Sequence, residues 1–307
     1  MPKKIIFMGT PQFSVPIFKS LYQNGYPISV VYTQPPQKSH RGQKINKSPI
    51  QGISETLNID YRVPKTLKDN QEEYEFLKKL DADLAIVVAY GKLIPKNYLD
   101  LTKKGFINIH GSILPNWRGA APIQRSIMNL DKETGISIMK LNKELDSGPV
   151  SNVYKIKLDQ NNNAEEISEK LSFLAAKNIL DDVDDILEDK AKFTEQDHSK
   201  ATYASKIQKI EGNIDWNDEA EHIIGKINGL YPSPGAFFTF KGERYKVLKA
   251  EIGYGSGRPG EILSNYLEIA CSEKKSVKIL EIQREGKTVQ KTSEFMLGSQ
   301  IKKGFVL

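Results

Sequence analysis

In Phe106-Ile-Asn-Ile-His110 apolar and polar residues alternate, so a strand here places Asn108 and His110 on one face and Ile107 and Ile109 on the other. An imidazole exchanges protons near neutral pH. A primary amide can donate to an oxyanion, a contact worth about 3 kcal/mol in acyl-transfer sites. Side by side, the two groups suit acyl transfer. Gly111 and Pro115 then force an irregular loop, and Gly119-Ala-Ala-Pro122 opens a helix whose N-terminal amides would favour negative charge. The pair would need a carboxylate to orient the imidazole and hold its charge. Asp146, on the turn Leu145-Asp-Ser-Gly-Pro149 after the apolar run 136–141, is the best-placed candidate. The same pattern also accommodates a hydrogen-bonded histidine at a strand end and a merely turn-forming aspartate. The pattern Gly-x-Ser-x-Gly is absent, so the attacking group is expected to come from a substrate.

Those residues need a frame. Residues 5–8 form an apolar run, and 11–22 space Phe13, Ile17, Phe18 and Leu21 as a helix does before Asn24-Gly25 stops it. Further strands are expected at 28–32, at 84–89, which is apolar on both faces, and from Phe106; helices are expected near 48–57, 69–80, 120–130 and 164–188. Runs buried on both faces belong in a parallel sheet covered by helices. The expectation is a doubly wound, mostly parallel, Rossmann-like α/β domain with its site at the carboxyl edge of the strands. A nicotinamide-binding version fits poorly, since Gly9-Thr-Pro-Gln-Phe13 lacks Gly-x-Gly-x-x-Gly. After the long helix the chain is polar and irregular over 190–206. One amphipathic helix within 216–230 and a break at Pro232-Ser-Pro-Gly235 precede short β-rich runs at 236–240, 245–252, 261–263, 267–272 and 277–283. That spacing predicts a small OB-like β-barrel. The expected division is 1–189 for the α/β domain, 190–206 for a linker and 207–307 for the barrel.

Composition bounds the function. With 307 residues, length favours two domains, and no run approaches the roughly 20 apolar residues that span a bilayer. The basic start at Lys3-Lys4 is followed by only four apolar residues, so a first strand rather than a signal peptide is expected, and the chain is expected to act in the cytoplasm. One cysteine, Cys271, and four scattered histidines offer no ligand cluster, so no metal is expected. The net charge is +6. From Gln34 to Ser54 the chain carries Lys38, Arg41, Lys44 and Lys47 without an acid, among Pro35, Pro36, Gly42 and Pro49, which reads as an irregular basic loop. Such a loop suits a polyanion, or is simply solvated. The basic residues Lys241, Arg244, Lys246 and Lys249 leave the same choice between nucleic-acid contact and a protected sheet edge. Asp181, Asp182, Asp184, Asp185, Glu188 and Asp189 read as a solvated acidic helix face.

Four segments carry a resemblance: Ile6-Phe-Met-Gly-Thr-Pro11, Val88-Ala-Tyr-Gly91, Asn108-Ile-His-Gly-Ser-Ile-Leu-Pro115 with Trp117-Arg-Gly-Ala-Ala-Pro-Ile-Gln-Arg125, and Leu145-Asp-Ser-Gly148. Together they resemble the methionyl-tRNA formyltransferase family along the whole chain, and the 108–125 block is the specific part. The resemblance implies a formyl-folate-binding α/β domain followed by an OB-like, tRNA-binding domain. It implies 10-formyltetrahydrofolate as cosubstrate, no metal, and the α-amine of initiator methionyl-tRNA as acceptor. It implies catalytic roles for Asn108, His110 and Asp146 and a folate segment at Ser112, Ile113, Leu114 and Pro115, where Ile113 stands for the family's usual leucine. The family's basic insertion, which enters the tRNA acceptor arm, corresponds to Lys38, Arg41, Lys44 and Lys47, with Arg41 foremost. A monomer is expected. The first domain is also similar to glycinamide ribonucleotide formyltransferases and formyl-folate hydrolases, and amino-sugar nucleotide formyltransferases share a C-terminal barrel. The basic loop argues against all three. A non-catalytic RNA-binding protein is the remaining alternative.

Overall fold

The computed structural model describes residues 3–39 and 44–307, and at positions 38, 39, 44 and 45 the backbone alone. The first elements are β1 (Ile5–Gly9), α1 (Ser14–Gln23), β2 (Ile28–Tyr32), β3 (Gln37–Ser39), β4 (Lys44–Asn46), α2 (Pro49–Thr56), β5 (Tyr61–Arg62), α3 (Gln71–Leu80) and β6 (Leu84–Val88). There follow α4 (Lys96–Leu99), β7 (Phe106–His110), β8 (Arg118–Gly119), α5 (Pro122–Met128), β9 (Glu133–Lys140), β10 (Val150–Lys157), α6 (Ala164–Leu187) and β11 (Tyr203–Ala204). The last are α7 (Ala220–Gly229), β12 (Ala236–Phe240), β13 (Glu243–Gly253), β14 (Glu268–Ala270), β15 (Ser276–Arg284), β16 (Gln290–Lys291) and α8 (Thr292–Gly298).

The chain divides into two compact units, one of residues 1–119, 135–156 and 168–203, the other of 120–134, 157–167 and 204–307. In the first, seven strands form a sheet in the order β10-β9-β7-β6-β1-β2-β5. β5, β2, β1, β6 and β7 run parallel and β9 runs antiparallel to β7. This is the doubly wound, mostly parallel sheet that the apolar runs predict. β1 and β6 are buried at every position, as strands covered on both faces must be. α1 turns Val15, Ile17, Phe18 and Leu21 inward, with the Phe18 ring edge-on to Phe7 at 5.1 Å. Within this unit α6 buries Leu171, Ala175, Ile179, Val183 and Ile186, a stripe at helical spacing. From β1 the chain runs outward to β2 and β5 and then returns to β6 on the other side of β1, which puts the switch point of the sheet between β1 and β6. The loops meet there: Thr10 Oγ1 donates to the Tyr90 carbonyl at 2.8 Å, and Gln34 Nε2 donates to the same oxygen at 3.0 Å.

The second unit carries the antiparallel sheet β12-β13-β15-β14, with β16 paired to β15. It is the small-barrel type of sheet predicted for this half. Its core stacks Phe238 on Tyr245 at 5.5 Å, with Trp216 and Phe295 edge-on to them. Cys271 is buried in the same core, and burial pushes its thiol up to about 11, as befits a packing residue.

Three local expectations change. The stretch from Gln34 to Ser54 is not wholly irregular: β3 and β4 pair as an antiparallel hairpin, Gln37 opposite Asn46, and α2 starts at Pro49. Pro35, Pro36 and Pro49 lie outside the two strands, so the ladder loses no N–H to them, and Pro49 suits the first helical turn. The amides before α5 divide: Ala120 and Ala121 both donate to the Ala204 carbonyl and Pro122 has no N–H, while the Gly119 N–H does hold a negative group, the Asp146 carboxylate. The acidic end of α6 is not simply a solvated face, since Asp182 is only 2% exposed.

Candidate active site

β7 ends at the carboxyl edge of the sheet, and its alternation turns out as the residue pattern predicts: Ile107 and Ile109 are buried in the sheet packing, while Asn108 and His110 share the other face. Asp146 comes to both. Its Oδ1 lies 3.5 Å from Asn108 Nδ2 and its Oδ2 lies 3.6 Å from His110 Nδ1. Oδ2 also accepts a hydrogen bond from the Gly119 N–H at 2.9 Å. The other ring nitrogen of His110, Nε2, lies 2.9 Å from the Trp117 carbonyl. A carbonyl can only accept, so Nε2 carries the hydrogen, and Nδ1 is the basic nitrogen of the neutral ring, facing Asp146. A proton gained at Nδ1 therefore forms an ion pair with a carboxylate that is already in place.

The loop 111–119 is held by groups that residue types alone did not single out. Ser137 on β9, fully buried, donates through Oγ to the Ser112 carbonyl at 2.7 Å and accepts from the Leu114 N–H at 3.1 Å. Ser112 is also buried and donates to the Asn116 carbonyl at 2.6 Å. Thr202 accepts from the Trp117 N–H at its Oγ1 and from the Arg118 N–H at its carbonyl, while its own N–H donates to Pro115. Residues 196–202 thus belong to the hydrogen-bonded frame of this loop. A polar, irregular stretch carries no periodicity that would announce such contacts. Of the four candidate folate residues, Ser112 and Leu114 are buried, and Ile113 and Pro115 keep part of their surface exposed.

Of the basic candidates, Arg41 lies outside the described residues. Lys38 and Lys44 sit on β3 and β4. Lys47 pairs with Glu55 at 2.7 Å, and that hydrogen bond raises the lysine and, with Tyr61 and Gln51, lowers the carboxyl. The acid lies one residue beyond the acid-free window, and α2 folds it back. Arg125, the last residue of the 108–125 block, has a structural place in the second unit: it grips Glu211 with two nitrogens, at 2.6 and 3.2 Å, and holds its carboxyl low.

Residues 3–183 match the family described as "Formyl transferase", and residues 206–300 match "Formyl transferase, C-terminal domain". The chain is 68% identical over 304 residues to a methionyl-tRNA formyltransferase of Pelagibacter ubique, covering 99% of this chain and 98% of that protein. The chain belongs to the methionyl-tRNA formyltransferase family. A second member, from Paramagnetospirillum magneticum, is 41% identical over 305 residues and 99% of each chain. Solved structures share the fold at much lower identity. One is WlaRD, a sugar 3N-formyl transferase crystallised with dTDP and 5-N-formyl-THF (TM-score 0.70, 16% identity, 94% of this chain and 100% of that one). Another is HypX from Aquifex aeolicus in complex with tetrahydrofolic acid (TM-score 0.68, 16% identity, 99% of this chain and 49% of HypX). In this member of the methionyl-tRNA formyltransferase family, among the described residues, no helix is long and apolar enough to cross a membrane.

Proposed function

We propose that the protein transfers the formyl group of 10-formyltetrahydrofolate to the α-amino group of initiator methionyl-tRNA, and that Asn108, His110 and Asp146 carry the reaction. The observation behind the residue roles is the convergence of these three side chains at the carboxyl end of β7, with Asp146 within 3.6 Å of both partners. The neutral amine attacks the formyl carbon. The Asn108 amide has a second N–H that does not face Asp146, and this one donates to the oxyanion that develops. His110 Nδ1 takes the proton released by the amine, Asp146 stabilises the imidazolium, and the proton is returned to the folate nitrogen as the C–N bond breaks. The hydrogen bond to Trp117 keeps the ring in the tautomer this sequence needs.

The folate is held in part by the 112–115 segment, through the partly exposed side chains of Ile113 and Pro115, because Ser112 and several backbone groups of the segment are spent on Ser137, Asn116 and Thr202. Lys38, Arg41 and Lys44 meet the tRNA backbone, with Lys47 the least available because Glu55 holds it. The 207–307 domain adds cations backed by rings, such as Arg244 stacked 3.6 Å over Phe237 and Lys241 beside Phe240 and Phe305. The protein acts as a monomer in the cytoplasm, where charged tRNA is found.

A formyl-transfer assay offering charged initiator tRNA, free methionine and an amino-sugar nucleotide tests the acceptor. Formylation of the tRNA alone is expected, and a preference for the sugar nucleotide would overturn the reading. Replacing Lys38, Arg41 and Lys44 with Ala should raise KM for tRNA and flatten its salt dependence, leaving KM for folate unchanged.

A further inference from the structure

We infer that Gln196 is a positioning residue that sets the placement of Asp146, linking the turn that carries this aspartate to the buried guanidinium of Arg118. The inference rests on the catalytic reading of Asp146 given above. Gln196 is only 7% exposed, and all its polar atoms are engaged. Its Nε2 donates to the Asp146 carbonyl at 2.9 Å and to the Gly148 carbonyl at 2.7 Å. Its Oε1 accepts from Arg118 Nε at 3.0 Å and Nη2 at 2.8 Å. Carbonyls only accept and a guanidinium only donates, so one orientation of the Gln196 amide satisfies all four contacts.

The turn needs such a clamp. Asp146 has a φ of 45°, in the left-handed region that a non-glycine residue occupies at a cost. Two residues on, a side chain at Gly148 would put its Cβ 1.9 Å from the Lys140 carbonyl, so the turn lies flat against the end of β9. From within, Asn142 Oδ1 accepts from the Glu144 N–H and from Ser147 Oγ. From outside, two adjacent residues of β8 hold Asp146 by both ends. The Gly119 N–H holds its carboxylate at 2.9 Å, and Arg118 holds its main chain through Gln196. Arg118 is itself fixed, being 3% exposed, with its N–H on the Thr202 carbonyl and Nη2 donating to His198 Nδ1 at 3.2 Å. The separation between Asp146 and the imidazole is thus set by a frame in which the Gln196 side chain joins the turn to Arg118.

Two variants test this. Gln196→Glu keeps the size and the acceptor for Arg118 but replaces both donations with charge facing two carbonyls; Gln196→Met keeps the volume and loses all four bonds. Each is expected to lower kcat about 10- to 100-fold, with KM for folate and for tRNA within about threefold of wild type. In an Asp146→Ala background either change should lower the residual kcat no further, because the group it positions is gone. Circular dichroism and Tm identify folded variants, and the methionine variant decides if the glutamate variant does not fold. Wild-type kcat in a folded Gln196 variant, or a further loss in the Asp146→Ala background, would overturn the inference. Full activity of Asp146→Ala itself would instead overturn the catalytic reading on which it rests.

Discussion

Two aspartates with little exposure lie on either side of β10, Asp146 on the turn that leads into it and Asp182 on the helix that covers it, and their surroundings differ in kind. Both oxygens of Asp146 face groups drawn from separate segments: the Asn108 amide and the His110 ring from β7, and the Gly119 N–H from β8. Asp182 receives Asn152 Nδ2 at 2.5 Å and Tyr154 Oη at 3.0 Å, both on one oxygen, and its second oxygen has no partner among the described residues. Burial, with Asp181 and Asp185 nearby on the same helix, pushes the Asp182 carboxyl above the ordinary aspartate range even though its two donors pull the other way. A buried carboxylate is therefore not by itself a sign of chemistry. What distinguishes Asp146 is convergence: a titratable ring and an amide donor within reach, at the edge where a parallel sheet opens to ligands.

Removing each acid in turn separates the two environments. Asp146→Ala should lower kcat by about a thousandfold, as loss of a group that orients and charges an imidazole does. Asp182→Asn should leave kcat within about twofold, and a comparable loss there would end the distinction. Next in size, Asn108→Ala should cost about 100- to 1,000-fold in kcat while folate binding changes little, measured by single-turnover kinetics and by equilibrium titration. The smallest effect is on stability. Because the Asp182 carboxyl is raised in the folded state, the folded protein binds more protons than the unfolded chain between the two titration ranges. This contribution is thus most favourable below the ordinary aspartate range and is lost as pH rises through the raised folded value. Chemical denaturation across that range should show Asp182→Asn gaining on wild type as pH rises, by on the order of 1 kcal/mol. A pH-independent difference would show that the burial cost does not act through this proton.

Some of the fold could be read directly from residue order. The runs at β1 and β6 are apolar on both faces, and α1 and α6 carry their stripes at helical spacing, so the doubly wound sheet was legible. β10 was less so, because Val150-Ser-Asn-Val-Tyr-Lys-Ile-Lys157 is buried at none of its eight positions and offers no apolar run. The hairpin β3–β4 hid behind prolines that lie just outside it. Lys47 looked unopposed because Glu55 is the residue after the window, reached only when α2 turns the chain.

Residue types and order alone were enough to specify the two-domain plan, the side-by-side placement of Asn108 and His110, and the family. The plan and the placement follow from short-range rules, since a strand alternates its faces every residue and apolar runs must be covered, while the family rests on the resemblance carried by the four motif segments. The distance from Asp146 to the imidazole, the tautomer of His110 set by the Trp117 carbonyl, and the clamp from Arg118 through Gln196 were decided only by the folded chain. They join positions 110, 118, 146 and 196, and nothing local in a sequence records a hydrogen bond between side chains and carbonyls that the tertiary structure alone brings together.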